Sequence, residues 1–235
     1  MKGALLIGLM GVSSVALADE KYPDGITILE TRKSGEMEVV TGNKAEMDIA
    51  REPASTFKVV IAWAALDRGL IRDVETPLEG AEGLGLRQSL QKSINPPFAI
   101  LAEKLGGEVL GEYAERSGLI EGEIPKGWMK VGGQEAAHAA DLKTTLRREH
   151  SMAVAWMRGT APWDGEVGKK LQDALVWKGE KVLLRAKTGS YVGCLWMTGY
   201  GPDKAVTVFM EGPVSRRPEI LKAFFGRWGV EPTSP

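Results

Sequence analysis

Strand-like segments lie near both ends of the chain and enclose a long helical middle. Near the N-terminus, GITILETR (25–32) and EMEVVTG (36–42) are joined by a short Lys-Ser-Gly stretch, which predicts a hairpin. Three further segments follow in the last third of the chain, EKVLLRAKTG, CLWMTGYG and KAVTVFMEG. Because strands from both ends of one chain can share a sheet, we predict an α/β (α+β) fold with an antiparallel five-stranded sheet flanked by helices.

The middle of the chain is rich in helix-forming segments. FAILAEKLG and GEVLGEYAERSG each end on glycine, and three more helices are predicted for STFKVVIAWAALDRG, GEVGKKLQDALVW and RPEILKAFFGRWG. We predict one domain over residues 19–235, with a sheet lobe formed by about 19–70 and 165–235 and a helical lobe formed by about 71–164. A cleft between two such lobes is the natural place for a binding or catalytic site.

The first 18 residues have the layout of a secretory signal peptide. Lys2 precedes an apolar run over residues 4–17, and Ala16-Leu17-Ala18 forms a small-x-small cleavage site ahead of two acidic residues. The apolar run is too short to span a membrane comfortably. We predict cleavage after Ala18, a periplasmic or secreted protein, and no membrane attachment after cleavage.

Composition excludes several classes of partner and cofactor. The chain has 30 basic and 31 acidic residues, with no basic run interleaved with aromatic residues, so we predict no binding to nucleic acid. Cys194 is the only cysteine, which excludes an intrachain disulfide and a metal site built on thiolates. Because the chain also has only two histidines, we predict no metal ion. The pattern indicates no particular oligomeric state.

The segment STFK, Ser55 to Lys58, follows a proline-containing stretch and opens a long apolar helix. This spacing puts the serine hydroxyl and the lysine amine on one face, near the positive end of the helix. A serine is a poor nucleophile until a neighbour takes its proton, and a buried lysine can act as that base or react with carbon dioxide to form a carbamate. The alternative interpretation is that Ser55 caps the helix and Lys58 extends along its surface. Ser89 and Lys92 have the same spacing in a more polar stretch.

Two further segments carry side chains suited to the same chemistry. In KTGS (187–190), lysine and threonine can hold a substrate carboxylate, glycine permits close approach, and the Ser190 and Ser55 backbone N–H groups can form an oxyanion hole. In SIN (93–95), a hydroxyl can relay a proton and an amide can hold the Lys58 amine. The predicted catalytic residues are Ser55, Lys58, Ser93 and Lys187, and the predicted substrate-binding residues include Asn95, Thr188, Gly189 and Ser190.

The combination of S-x-x-K, S-x-N and K-T-G, in that order, resembles the penicillin-recognising serine enzymes, which are the serine β-lactamases and the penicillin-binding peptidases. The string PASTFK and the aliphatic helix after it are similar to the nucleophile region of class D β-lactamases. This resemblance implies an acyl-enzyme on Ser55 and a carbamate on Lys58, with Trp128 as its hydrogen-bond donor. It also implies Arg217, with Arg216 second, as the ligand of the substrate carboxylate, and Arg217 and Trp128 complete the predicted substrate-binding residues.

The sequence departs from the class D pattern beside the predicted base. Asn95 stands where that class has an aliphatic valine, and a polar amide there favours a hydrogen-bonded ammonium on Lys58 over a carbamate. Class A β-lactamases use a glutamate to activate the deacylating water, and Glu149 lies at a suggestive distance along the chain. Because Glu149 lacks the Leu-Asn that accompanies that glutamate, we predict that it is an acid on the surface of a helix.

The resemblance implies a serine β-lactamase that hydrolyses β-lactam antibiotics, with no cofactor beyond a possible carbamate on Lys58. Asn95 favours an alternative, a penicillin-binding peptidase or transpeptidase that acts on peptidoglycan peptides and deacylates slowly after reaction with a β-lactam. A non-catalytic β-lactam sensor and a generic esterase are further alternatives. Lys187 and Arg217 indicate an anionic substrate for any of these enzymes.

Overall fold

The computed structural model of the protein describes residues 22–123, 141–163, 165–178 and 182–232. The predicted signal peptide, residues 1–18, lies outside these ranges. Within these ranges, six strands form one sheet in the order β2-β1-β6-β5-β4-β3, with all neighbours antiparallel. The strands are β1 (Ile26–Arg32), β2 (Met37–Thr41), β3 (Val176–Lys178), β4 (Leu183–Tyr191), β5 (Cys194–Tyr200) and β6 (Lys204–Glu211).

Six α-helices accompany the sheet within the described residues, and all but the last lie between β2 and β3 in the chain. They are α1 (Lys58–Asp67), α2 (Leu86–Lys92), α3 (Pro96–Ser117), α4 (Leu146–Arg158), α5 (Gly165–Ala174) and α6 (Arg217–Gly226). The predicted antiparallel sheet and its flanking helices are therefore present. None of the helices in the described ranges is both long enough and apolar enough to cross a membrane.

The prediction of five strands is wrong by one. The residues Val176 and Trp177 were predicted to end a helix, but α5 stops at Ala174 and these two residues pair with Arg185 and Leu184 of β4. A β-branched and an aromatic residue in succession fit a half-buried strand better than a helix end. The Trp177 indole N–H also donates to the Ala186 carbonyl oxygen at 3.0 Å, which anchors the additional edge strand.

The two predicted helical stretches, FAILAEKLG and GEVLGEYAERSG, form the two halves of α3. Gly106, at the end of the first stretch, has φ 76° and ψ 160°, values that only glycine adopts readily, and it interrupts the helix. The second half ends at Gly118, where a φ of 67° is typical of a helix C-terminus. The first predicted helix also begins later than expected, because residues 54–57 form a 3₁₀ turn before α1.

Apolar side chains cover both faces of the sheet. On one face, Ile220 and Phe224 of α6 pack in a cluster with Ile28, Met197 and Val208 of the central strands. The opposite face receives α4, which contacts β1, β5 and β6. Helix α1 is buried from Lys58 to Leu66 and packs against α3 and α5. Its all-round burial explains why it is apolar along its whole length.

Candidate active site

The segment Ala54–Phe57, called here the Ser55 turn, is a buried 3₁₀ turn that leads directly into α1. Ala54 has φ 52°, an uncommon value for a residue with a side chain. The Thr56 hydroxyl donates to the Pro53 carbonyl oxygen at 2.5 Å, which closes the turn. Ser55 is 5% exposed and lies just ahead of α1, where the helix dipole favours negative charge.

Lys58 is fully buried at the first residue of α1. Its Nζ donates to the backbone oxygens of Ser93 (2.7 Å) and Ile94 (3.0 Å) and to Oδ1 of Asn95 (2.6 Å). Burial and, to a smaller extent, the Arg217 charge lower the pKa of Lys58 to about 7. The three oxygens oppose this effect because they stabilise the ammonium, and they match its three N–H donors in number.

Ser93 joins two buried lysines. It follows α2 with φ 56°, and this left-handed conformation ends the helix. The Lys187 ammonium donates to Ser93 Oγ at 2.8 Å, and Lys58 Nζ lies 3.5 Å from the same oxygen. The structure therefore brings Lys58, Ser93 and Lys187, which are far apart in sequence, into one hydrogen-bonded group.

The KTGS segment forms the second half of β4 and runs beside the Ser55 turn. Lys187 is buried there, and its pKa is held well below the usual value by desolvation and then by the charges of Lys58 and Arg217. Gly189 permits a close approach: a Cβ at this position would lie 3.1 Å from both Pro53 O and Thr56 Cγ2. Ser190 Oγ is buried and has no hydrogen-bond partner among the described residues.

The structure distinguishes between the two arginines predicted to bind a carboxylate. Arg217, the first residue of α6, donates from Nη2 to Thr188 Oγ1 at 2.7 Å and so lies at the KTGS strand. Its Nε is buried without a partner in the described part of the chain. Arg216 instead donates to the Glu219 carboxylate at 2.9 Å and 2.7 Å. Arg217 is thus the arginine at this site, and Arg216 is occupied by a local ion pair.

Glu149 contradicts the prediction of a helix-surface acid. It is fully buried in the first turn of α4, and the Thr56 hydroxyl lies within hydrogen-bond distance of its Oε1. Burial raises its pKa to about 8, although Thr56 and Lys187 both act in the opposite direction. The sequence carried a signal for this burial: Leu146, Glu149, Ala153 and Trp156 recur at helical spacing on one face, and all are buried.

The charged groups of the site are predominantly positive. Lys58 and Lys187 are buried, Arg217 is half-buried, and the nearby acid is Glu149, which raises the pKa of Lys187 only when it is ionised. A concentration of cations in a site of low dielectric constant favours an anionic ligand. Trp128, the predicted donor to a carbamate, lies outside the described residues.

The environment of Lys58 does not fit a carbamate. The three oxygens closest to its Nζ are hydrogen-bond acceptors, and a carbamate would place anionic oxygens next to them. Metal ligands are also not grouped here: among the described residues, no three or more histidine, cysteine, aspartate or glutamate side chains form a set that could hold an ion. Cys194 is partly buried, and desolvation raises its thiol pKa, which makes it a poor nucleophile.

Residues 25–123 match the family model of the penicillin binding protein transpeptidase domain. That range contains the Ser55 turn, Lys58 and the Ser93–Asn95 segment. The resemblance to the penicillin-recognising serine enzymes that the motifs predict is therefore confirmed over these residues. No curated protein sequence matches the chain.

Solved structures with the same fold include class D β-lactamases. FUS-1 from Fusobacterium nucleatum subsp. polymorphum is 18% identical, with a TM-score of 0.72 over 87% of this chain and 92% of that one. YbXI from Nostoc is 19% identical, with a TM-score of 0.70 over 87% and 93%. The class D enzyme from Bacillus subtilis is 17% identical, with a TM-score of 0.70 over 87% and 92%. At these identities, the likeness establishes the fold.

Proposed function

We propose that the protein is a serine β-lactamase that acylates Ser55 with a β-lactam and then hydrolyses the acyl-enzyme. The observation that supports this proposal is the convergence of Lys58 and Lys187 on the Ser93 hydroxyl, next to the Ser55 turn. A buried base and a second hydroxyl that relays a proton are what acyl transfer from a serine requires. The class D β-lactamase fold and the transpeptidase family match are consistent with this chemistry.

In the acylation step, the neutral Lys58 amine takes the proton of the Ser55 hydroxyl while Ser55 Oγ bonds to the lactam carbonyl carbon. The pKa of about 7 leaves a useful fraction of the amine neutral near physiological pH. The lactam C–N bond then breaks, and the nitrogen receives, through the Ser93 hydroxyl, the proton that Lys58 took from Ser55, so that Lys58 is again a neutral amine. Lys187, which donates to Ser93 Oγ, orients this relay. Water then attacks the ester carbonyl while the Lys58 amine takes its proton, the bond to Ser55 Oγ breaks, and Lys58 returns that proton to Ser55 Oγ.

The substrate carboxylate is bound by Arg217, Thr188 and Lys187 in this proposal. Arg217 Nε and Ser190 Oγ are buried polar atoms without partners in the described residues, and a bound anion would satisfy them. The backbone N–H groups of Ser55 and Ser190 form the oxyanion hole, and Gly189 lets the ligand lie along β4. Asn95 holds the Lys58 amine, and Trp128 remains a predicted contact of the bound substrate.

A second candidate is a penicillin-binding peptidase that acts on peptidoglycan peptides and is trapped by β-lactams. The observation that favours it is the bond from Lys58 Nζ to Asn95 Oδ1 at 2.6 Å, together with two backbone oxygens around the same amine. These contacts stabilise the ammonium, and an ammonium cannot activate the deacylating water. Acylation requires Lys58 to remove one proton, that of Ser55. Hydrolysis requires Lys58 to act as a base a second time, in the acyl-enzyme.

The decisive experiment is time-resolved intact-mass analysis after addition of penicillin, with and without bicarbonate. A β-lactamase shows a mass increase on Ser55 that disappears within the time of turnover, accompanied by consumption of a chromogenic cephalosporin. A peptidase shows an adduct that persists for hours. An adduct that also forms on a Ser55→Ala variant contradicts both candidates, and so does the absence of an adduct on the wild type. The remaining candidates are then a sensor and an esterase.

We also propose that residues 1–18 are a cleaved signal peptide and that residues 19–235 form a single periplasmic or secreted domain. The apolar run and the small-x-small site support this proposal. The mass of the protein recovered from the periplasm tests it directly. We expect the mature chain to begin at Asp19, and a protein that retains Met1 would contradict the proposal.

A further inference from the structure

The hydroxyl of Thr56, next to the proposed nucleophile, has two acceptors but only one hydrogen. Its Oγ1 lies 2.5 Å from the Pro53 carbonyl oxygen and 2.5 Å from Oε1 of Glu149. A carbonyl oxygen can only accept a hydrogen bond, and an ionised carboxylate can only accept as well. Both contacts are satisfied together if Glu149 is protonated, since its O–H then donates to Thr56, and Thr56 donates to Pro53.

The surroundings of Glu149 agree with a protonated carboxyl. The side chain is fully buried, and its second oxygen, Oε2, has no partner among the described residues. A lone neutral oxygen is far less costly to bury than a lone anionic one. Burial raises the pKa of Glu149 to about 8, so the carboxyl is mostly protonated at neutral pH.

The bond that depends on this proton closes a strained turn. Ala54, between Pro53 and Ser55, has a left-handed φ of 52°, which needs support from its surroundings. Thr56 also lies close to β4, the other wall of the site, because its Cγ2 would be 3.1 Å from a Cβ on Gly189. The rotamer of Thr56 therefore affects both the nucleophile and the strand along which a substrate lies.

We propose that protonated Glu149 is a positioning residue: it donates to Thr56, which frees the Thr56 hydrogen to hold Pro53 and fixes the turn that carries Ser55. When Glu149 ionises, the carboxylate competes for the single Thr56 hydrogen and the side-chain bond to Pro53 is lost. The turn relaxes, and acylation of Ser55 slows. This inference rests on the proposed acylation of Ser55 and adds an alkaline limit to it.

The groups around Glu149 determine which other titration could cause the same loss of activity at alkaline pH. Lys187 on β4 is the charged group that acts on Glu149, and it favours the carboxylate. The hydroxyls that face it are those of Thr56 and, at its backbone oxygen, Thr198 of β5. Its helix neighbour His150 is neutral, because burial lowers the imidazole pKa to about 3. Lys187 has its own depressed pKa, so its deprotonation is the competing cause of an alkaline loss of activity.

The test is the pH dependence of the acylation rate constant with a fluorescent penicillin, from about pH 5.5 to 9.5. We expect the wild-type rate to rise as Lys58 loses its proton near pH 7 and to fall above pH 8, by about tenfold at one unit above the Glu149 pKa. Glu149→Gln keeps a neutral donor to Thr56 and does not titrate. It should retain the rising limb and lose the falling limb.

A matched control is Glu103→Gln, which removes an exposed carboxylate on α3 and should leave the wild-type profile unchanged. Thr56→Val, which has the same shape without the hydroxyl, should lower the rate by about tenfold across the pH range, and Thr56→Ser should restore it. A falling limb that persists in Glu149→Gln overturns the inference and assigns the loss to Lys187.

An infrared measurement separates this inference from the proposed function. The carbonyl band of a buried protonated carboxylic acid should be present in the wild type at pH 7, disappear above pH 8, and be absent from Glu149→Gln. A protein that shows this band but is not acylated at any pH contradicts the proposed function alone. A protein that is acylated but lacks the band contradicts the role of the Glu149 proton.

Discussion

The sequence supports two interpretations of Lys58, although its side chain is buried in the structure. Its position after Ser55 predicted either a surface cation or a buried base, and the structure places it at 0% exposure. The residues that surround its amine come from a segment 35–37 positions further along the chain. No local pattern around Lys58 encodes those contacts, so its protonation state could be predicted only after the S-x-N segment was placed.

The acceptors around Lys58 lead to a prediction about carbon dioxide. We expect the wild-type protein, incubated with ¹³C-bicarbonate, to show no carbamate signal by NMR, because the amine is surrounded by oxygens that favour an ammonium. Added bicarbonate should likewise leave the rate of cephalosporin turnover unchanged. A carbamate signal that Lys58→Ala removes would contradict this prediction.

Two adjacent arginines offer a matched pair of variants. Arg217→Ala should lower kcat/KM for a β-lactam by about 10- to 100-fold, because it removes a charge-assisted hydrogen bond worth about 1.5–3 kcal/mol. Arg216→Ala is the control, since that side chain pairs with Glu219 of α6 instead. Steady-state kinetics of both variants test the assignment. Equal losses in the two variants would show that the helix terminus, rather than the Arg217 contact with Thr188, matters.

The site depends on how closely β4 passes the Ser55 turn. The sequence predicts that Gly189 permits the close approach of a ligand. The structure adds an approach to the protein itself, because the space a Cβ would occupy is bounded by Pro53, Thr56 and Trp196 at 3.1–3.2 Å. Such distances are visible only once the two elements are packed.

We predict that Gly189→Ala lowers the acylation rate by about tenfold or more while the protein stays folded. The added methyl group forces β4 and the Ser55 turn apart by a few tenths of an ångström, and catalytic geometry is sensitive to shifts of that size. Gly35→Ala is the control, since a Cβ there would have only ordinary contacts, from 3.4 Å outwards. A Gly189→Ala protein that is acylated at the wild-type rate would contradict the proposed approach.

Helix α4 illustrates what periodicity can and cannot reveal. Its N-terminal cap at Thr145 and its apolar stripe can be recognised in the sequence. Glu149 and His150 are buried together with that stripe. A charged residue is normally assigned to the exposed face, and for Glu149 that rule fails. What offsets the cost of burying Glu149 is its hydrogen bond with Thr56, which lies 93 positions away in the sequence. Long-range polar contacts of this kind are the part of the site that sequence patterns did not predict.

The arrangement of strands was largely predictable. The hairpin β1–β2 and the order β4–β5–β6 follow from short connections and strand-like composition. The three-residue β3 was missed because it is too short to show a period of its own, and its residues continue the pattern of α5. The division into two lobes remains a prediction.

An aromatic cluster in the helical part of the core should carry a large share of the stability. Trp63 of α1 is 1% exposed and contacts the rings of Tyr113 and Trp163 at centroid distances of 4.7 and 4.9 Å. We predict that Trp63→Ala lowers the free energy of unfolding by about 3–5 kcal/mol. Urea denaturation followed by circular dichroism measures the change.

Leu70→Ala is the comparison for Trp63→Ala, because Leu70 is 45% exposed and its truncation leaves little cavity. We expect its cost to remain below about 1 kcal/mol. A similar loss in both variants would mean that stability does not depend on the aromatic cluster.

The pairing of β1 with β6 determines when the protein can fold. All seven residues of β1 find partners in β6, from Ile26 opposite Met210 to Arg32 opposite Lys204. During synthesis, β1 therefore lacks its partner strand β6 until residues 204–211 have been made. Contacts of such sequence separation slow folding, because a large loop must close before the pairing is rewarded. The segment that carries Ser55 is made early, yet it reaches its final geometry only once β4, against which it packs, has been made.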